Sequence, residues 1–130
     1  MKNKKKIVTE KAPKAIGPYS QAISDGYYLF VSGQLPVNPE TGKLVDGGIE
    51  ASTHQVFDNL QQILAAGGCT LDDVVRMEVF MQDLGEFALM NKVYTERFGI
   101  MITPARYTIQ AAKLPMDAPL EIACIAKVSN

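Results

Sequence analysis

The polar residues of this chain that could do chemistry are few, and they stand in otherwise apolar stretches. Arg106 opens the segment Thr103-Pro104-Ala105-Arg106-Tyr107-Thr108-Ile109, and Glu121 is the one acid in the run Leu120-Glu121-Ile122-Ala123-Cys124. A guanidinium keeps its charge at any physiological pH, and its planar fork matches a carboxylate bidentately. Tyr19, Ser32, Asn91 and Thr108 complete the set. Taken one at a time, each also has a plain reading: a strand arginine or glutamate facing water, a helical asparagine facing solvent, a packed tyrosine after Gly17-Pro18. The functional question is whether Arg106 faces water or an anion.

Rival chemistries find little support. The only histidine, His54, lies on a helical wheel roughly opposite the stripe Val56, Leu60, Ile63, because each residue turns about 100°. It is expected to face solvent. Without a second histidine or clustered cysteines there is no zinc or iron set, so no metal is expected. No Gly-x-Ser-x-Gly elbow and no glycine-rich phosphate cradle occurs. Cys124 reads as a small core residue in a strand; Cys69, after Gly67-Gly68, has no base near it in sequence.

Thirteen Lys and Arg against fourteen Asp and Glu leave a net charge of −1, which argues against a nucleic-acid binder driven by phosphate neutralisation. The one basic run, Lys2 with Lys4 to Lys6, reads as a solvated tail over residues 1–6. No apolar stretch of signal length follows it, and no segment is long enough to span a bilayer. A soluble, intracellular, cytoplasmic protein without a membrane partner is therefore expected.

The elements that must position these residues are clearly punctuated. Tyr19 to Ser24, Asp25-Gly26, and Tyr27 to Ser32 read as a β-hairpin. Residues 33–48, with Pro36, Pro39 and Gly42, form a loop. A helix follows near Ile49 to Ala66, closed by Gly67-Gly68. Thr70 to Asp73 forms a capped turn. Val74 to Met81 alternates as a strand, with Val75, Met77, Val79 and Met81 on one face. Asp83 to Glu86 starts a second helix, whose stripe is Leu84, Phe87, Met90, Tyr94 and Phe98 and whose end is Gly99. Two strands near Ala105 to Ala112 and Leu120 to Val128 close the chain, and a short strand near Ile7 is possible.

This order makes one α+β domain spanning 1–130, with two helices on one face of a mixed sheet. Apolar residues on both faces of the strands imply that a partner chain buries the other face. If the last two strands pair as a hairpin, Arg106 lies at the far end from Glu121. The two then share a cleft only if a second subunit supplies one of them.

The ordered segments Ala15-Ile16-Gly17-Pro18-Tyr19-Ser20-Gln21-Ala22, Phe30-Val31-Ser32-Gly33-Gln34-Leu35-Pro36, Asn59-Leu60, Val79-Phe80-Met81-Gln82-Asp83-Leu84, Pro104-Ala105-Arg106, Leu114-Pro115 and Leu120-Glu121-Ile122 together resemble the reactive intermediate deaminase family, the Rid or YjgF-type proteins. The resemblance spans nearly the whole chain. It implies a chorismate-mutase-like fold, a homotrimer with a barrel-like core, and active sites in clefts between subunits. It also implies an enzyme that hydrolyses 2-imino acids and their enamines, released by serine and threonine dehydratases, to 2-oxo acids and ammonia without a cofactor. Arg106 is then the carboxylate anchor. Gly33, Thr108 and Asn91 are substrate-binding positions, and Glu121, Tyr19 and Ser32 handle the imine, the water and the protons. Thr108 stands where some members carry cysteine, so a thiol is dispensable there. Tyr107, Gln110 and Met116 vary the rim.

A second reading keeps the same trimeric cleft as a non-enzymatic sensor of 2-oxo acids or a regulatory module. A third, a ribonuclease or translation inhibitor, has been attached to the family. The net charge and the absence of a histidine pair weigh against it.

Overall fold

The computed structural model describes residues 3–128. Six strands, β1 (Lys5–Ile7), β2 (Ala22–Ser24), β3 (Tyr28–Gln34), β4 (Val74–Met81), β5 (Ala105–Gln110) and β6 (Leu120–Lys127), join two helices, α1 (Gly48–Ala66) and α2 (Phe87–Phe98). They form one sheet in the order β1-β2-β3-β6-β4-β5. All neighbours are antiparallel except β4 and β5, which run parallel.

The topology explains why both helices lie on one face. β3 and β4 flank β6 antiparallel, so they run parallel to each other, and α1 crosses between them. Helix α2 then crosses from β4 to its parallel neighbour β5. Both crossovers advance the same way across the sheet, and a single handedness puts both helices on the same side. That side is the core: Leu29, Val31, Met77, Val79, Leu120, Ile122 and Cys124 from the sheet meet Val56, Phe57, Leu60, Ile63 and Leu64 of α1, with Met90, Tyr94 and Phe98 of α2. Phe57 makes edge-on contacts with Tyr94 and Phe98 at 5.7 and 5.8 Å, locking the two helices together.

The local signals behave as their chemistry dictates. Asp25 closes the first hairpin, its carboxylate accepting from the N–H groups of Tyr27 and Tyr28 at 2.9 and 2.8 Å. At the end of α1 the N–H of Cys69 donates to the Leu64 carbonyl and that of Gly68 to the Ala65 carbonyl, the paired bonds of a Schellman end. Thr70 N–H donates to the Asp73 carboxylate at 2.7 Å, capping a single turn before β4.

Several expectations are corrected. Lys5 and Lys6 are not tail: they pair with Ser24 and Ile23 as β1, while Lys2 lies outside the described residues. A bulge between Val74 and Arg76 turns Val75 out to solvent and puts Val74 in the core. Leu84 is exposed, because Leu84–Glu86 is a separate 3₁₀ turn ahead of α2, and Val93 is buried on that helix instead. The last two strands do not form a hairpin; β4 lies between them. His54 is half exposed rather than free in solvent. Its ring lies in the α1–α2 seam, 3.2 Å from the Arg97 guanidinium and 3.7 Å from Glu96.

The opposite face of the sheet carries Tyr28, Phe30, Phe80, Tyr107, Ile109 and Ile125, and no element of the chain among the described residues covers it. Phe30 remains 44% exposed and Ile109 47%. The expectation of an uncovered apolar face holds.

Candidate functional site

The polar set divides between two places. Register decides which. Arg106 pairs with Met77 and Thr108 with Val79 across the parallel β4–β5 ladder, and residues paired across strands point to the same face. Met77 and Val79 face the helices, so Arg106 and Thr108 do too. Glu121 pairs with Phe80 and points the other way, between the buried Leu120 and Ile122. Within one protomer, Arg106 and Glu121 thus lie on opposite faces of the sheet, with β4 between their strands.

The first group sits at the outer strand β5. Arg106 donates to the Asn91 side-chain carbonyl at 2.7 Å. Its guanidinium stacks over the Tyr94 ring at 4.6 Å and reaches the Phe87 ring at 5.6 Å. All three partners come from one face of α2, where they recur at helical spacing. Among the described residues no acid pairs with Arg106. Its charge is therefore oriented by neutral groups and left available. The hydroxyls of Thr108 and Tyr94 are both buried without a hydrogen-bond partner among the described residues. Burial pushes the Tyr94 phenol up to about 12, against the pull of the Arg106 charge.

The second group lines a cleft of about 770 Å³, which brings together Tyr19, Ser32, Gly33 and Glu121. Gly33 is what admits the acid. A Cβ there would lie 2.8 Å from the Glu121 carboxyl carbon, so the carboxyl group rests in the space a side chain would fill. Ser32 and Gly33 fall within a bulge of the β3–β6 ladder, between the pairs Val31–Cys124 and Gln34–Ile122. Burial raises the Glu121 pKa above the ordinary carboxylate value, and no cation among the described residues offsets it. The Ser32 hydroxyl donates to the Ser20 carbonyl at 2.6 Å, so toward the cleft it is an acceptor. Tyr19, 50% exposed, has its phenol oxygen 3.4 Å from the Ile16 N–H, which leaves its own proton free to donate.

Two buried amides build the cleft walls, and their positioning role was not legible as chemistry. Gln21 donates to the carbonyls of Thr9 and Pro13 and accepts from the Thr9 N–H, tying the N-terminal segment along the cleft. Asn59 donates to the carbonyls of Leu35 and Val37, holding the following loop against α1. A polar residue fully buried in an apolar stripe is the signal that finds Asn59: it is 1% exposed, between Val56 and Leu60. Neither cysteine lines the cleft. Burial pushes the Cys124 thiol up to about 12, and Cys69 is raised first by burial and then by Asp73.

The structure thus combines a small mixed sheet with both helices on one face, a neutral-held arginine at its outer strand and a half-buried acid in a cleft on the other side. Comparison with known proteins places it further. The family described as Endoribonuclease L-PSP matches residues 9–128. A RutC family protein of Pyrococcus abyssi is 49% identical over 95% of this chain and 96% of its own length. The chloroplastic Reactive Intermediate Deaminase A of Arabidopsis thaliana is 46% identical over 95% of this chain and 66% of its own. The structure of Escherichia coli TdcF with bound serine superposes with a TM-score of 0.92 at 39% identity, covering 96% of this chain and 99% of that one. The chain belongs to this YjgF/Rid family. No helix among the described residues is long and apolar enough to cross a membrane.

Proposed function

We propose that this protein hydrolyses 2-imino acids to 2-oxo acids and ammonia, in sites where Arg106 of one protomer faces the Glu121 cleft of another in a homotrimer. The observation that carries the proposal is the split of the polar set. Arg106 is held ready for an anion on one face, and an acid with a raised pKa waits in a cleft on the other. Neither half is sufficient alone. The uncovered apolar face, ending beside the Glu121 cleft, supplies the surface on which copies can associate. The serine bound to the related TdcF, a small amino acid with one carboxylate, supports a ligand of this size and charge.

The chemistry follows from the groups. Arg106 grips the substrate carboxylate in its fork, and the backbone N–H groups near Gly33 and Thr108 are further donors. Ionised Glu121 takes a proton from water as the oxygen attacks the C=N carbon and the electron pair moves to nitrogen. Protonated Glu121 then returns the proton to that nitrogen. The hydroxyl then passes its proton through Glu121 to the nitrogen as the C–N bond breaks, so that ammonia leaves and the 2-oxo acid remains. Ser32 accepts from, and Tyr19 donates to, the water or the imine nitrogen. Because an iminium carbon is already electrophilic, positioning supplies much of the acceleration.

The ribonuclease activity in the family description finds less support. The single histidine is engaged by Arg97 in the helix seam and does not line the cleft. The decisive experiment couples the protein to a threonine or serine dehydratase and follows 2-oxo acid release. Acceleration over buffer that Arg106→Ala abolishes is expected. Tight 2-oxo acid binding by calorimetry without acceleration would instead favour a sensing or regulatory module.

A further inference from the structure

Away from the Arg106 and Glu121 groups, a second cavity of about 330 Å³ brings unlike charges together. Lys11 and Pro39 form one side of it, and Gln55, Asp58, Gln61 and Gln62 of α1 form the other. Positions 55, 58 and 62, with the buried Asn59, recur at three- and four-residue steps, so they share one face of the helix. On a free helix such a face would simply meet water. Here two chain segments stand over it.

Both segments are fixed by buried amides. Asn59, 1% exposed, donates to the Leu35 and Val37 carbonyls at 3.2 and 2.9 Å, just ahead of Pro39. Gln21 donates to the carbonyls of Thr9 and Pro13, on either side of Lys11, at 3.1 and 2.8 Å. The pocket is thus formed before any ligand arrives, which lowers the cost of binding.

Its polar groups are only partly used. Among the described residues no acid pairs with Lys11. Asp58 accepts from Arg97 at 2.8 Å through one oxygen, and its second oxygen is unspent. Gln61 accepts from Arg97 through its carbonyl, which leaves its NH2 group to donate. Gln55 donates to the Asn59 side-chain carbonyl at 2.9 Å, which leaves its own carbonyl to accept. Arg97 offsets part of the Asp58 charge, so a lone cation fits poorly, and Asp58 opposes a lone anion. A ligand that carries both charges a few bonds apart satisfies every one of these groups.

We propose that this pocket is a second small-molecule site, which takes a free α-amino acid as its zwitterion. The carboxylate lies on Lys11 and the Gln61 amide, and the ammonium on Asp58 and the Gln55 carbonyl. Pro39 also lines the Glu121 cleft, so the occupant rests against the outer side of a wall of that cleft. The site uses no imine chemistry and stands or falls apart from the deaminase reading.

The test titrates isotope-labelled Arg106→Ala protein, whose other anion anchor is removed, with glycine and L-serine. It follows the side-chain amide signals of Gln55, Gln61 and Gln62 by NMR. Saturable shifts of these signals with a Kd of about 1 mM or tighter are expected. Acetate and ethylamine, each carrying one end of the zwitterion, should bind about tenfold or more weakly. Lys11→Gln and Asp58→Asn, made in the same background, should each weaken glycine binding by about tenfold or more. Because Lys11 has no acid partner to lose, Lys11→Gln should do so at an unchanged melting temperature. Glu50→Gln, which breaks an ion pair with Lys92 elsewhere on α1, should leave binding as it is. Acetate that binds as tightly as glycine would overturn the zwitterion site. So would undiminished binding in Lys11→Gln, an equal loss in Glu50→Gln, or amide signals that never saturate.

Discussion

The two halves of the candidate site are built on opposite logics. Arg106 is held by many partners: an asparagine carbonyl and two aromatic rings from α2 orient its guanidinium. Glu121 is tuned by its setting and held by little: it rests where Gly33 has no side chain, and burial raises its pKa. A binding anchor needs fixed direction, and a proton carrier needs a shifted pKa and freedom to exchange with water. On the proposed reaction, one sheet serves both needs by using its two faces once a second copy joins them.

The largest effect should come from breaking the anchor. On the proposed reaction Arg106→Ala would remove a bidentate contact worth roughly 3 kcal/mol, so kcat/KM should drop about a hundredfold or more. Arg106→Lys keeps the charge but loses the fork and should recover little of it. Glu121→Gln should lower kcat by about a hundredfold with a smaller change in KM, since general acid–base help is typically of that size. The pair also gives a sharper test. If each site takes Arg106 and Glu121 from different chains, co-assembling the two inactive variants at equal amounts should restore about a quarter of the sites. Assayed after co-refolding, a mixture as inactive as its components would end the two-chain arrangement.

Gly33→Ala should act next, through geometry alone. The new Cβ would meet the Glu121 carboxyl carbon at 2.8 Å, too close for any real contact. Either the acid is displaced into the cleft or the bulge shifts. We expect about tenfold lower kcat and a loss of about 1–3 kcal/mol in urea unfolding. Activity lost without any change in stability would mean that Glu121 simply swings away.

Much of this architecture was legible from local chemistry. Asp25-Gly26 marks a turn because the aspartate caps it, and Gly67-Gly68 ends α1 because a left-handed residue is required there. What periodicity cannot report is which strands become neighbours. Strand β6, last in the chain, inserts between β3 and β4, and that non-local pairing separates Arg106 from Glu121 by faces rather than by hairpin length. The same blindness hides the cradle of Arg106. Phe87 and Tyr94 read as a packing stripe, correctly, but the stripe continues past the core onto the guanidinium. Val75 was misplaced by one extra residue in a bulge, which a period of two cannot reveal.

A subtler contrast between the halves appears in stability against pH. Burial raises Glu121 above its unfolded value, so folding favours its protonated form. That increment is fully present below the ordinary glutamate pKa and is lost as pH rises through the folded pKa. Stability of the wild type relative to Glu121→Gln, measured by urea unfolding, should therefore decline across that window and level off above it.

The smallest effect concerns Tyr94, whose ring supports Arg106 while its hydroxyl is buried without a partner among the described residues. Burying an unpaired hydroxyl costs about 1–3 kcal/mol, and phenylalanine fills nearly the same space without that cost. Tyr94→Phe should thus be more stable by about 1 kcal/mol in urea, and it should retain the stacking on the guanidinium. Tyr94→Leu, which removes the ring, should lose stability and weaken carboxylate binding together. A Tyr94→Phe variant that is less stable than wild type would show that the hydroxyl finds a partner in the assembled protein. The helix side of the Arg106 half would then be completed by another copy, as the Glu121 half is proposed to be.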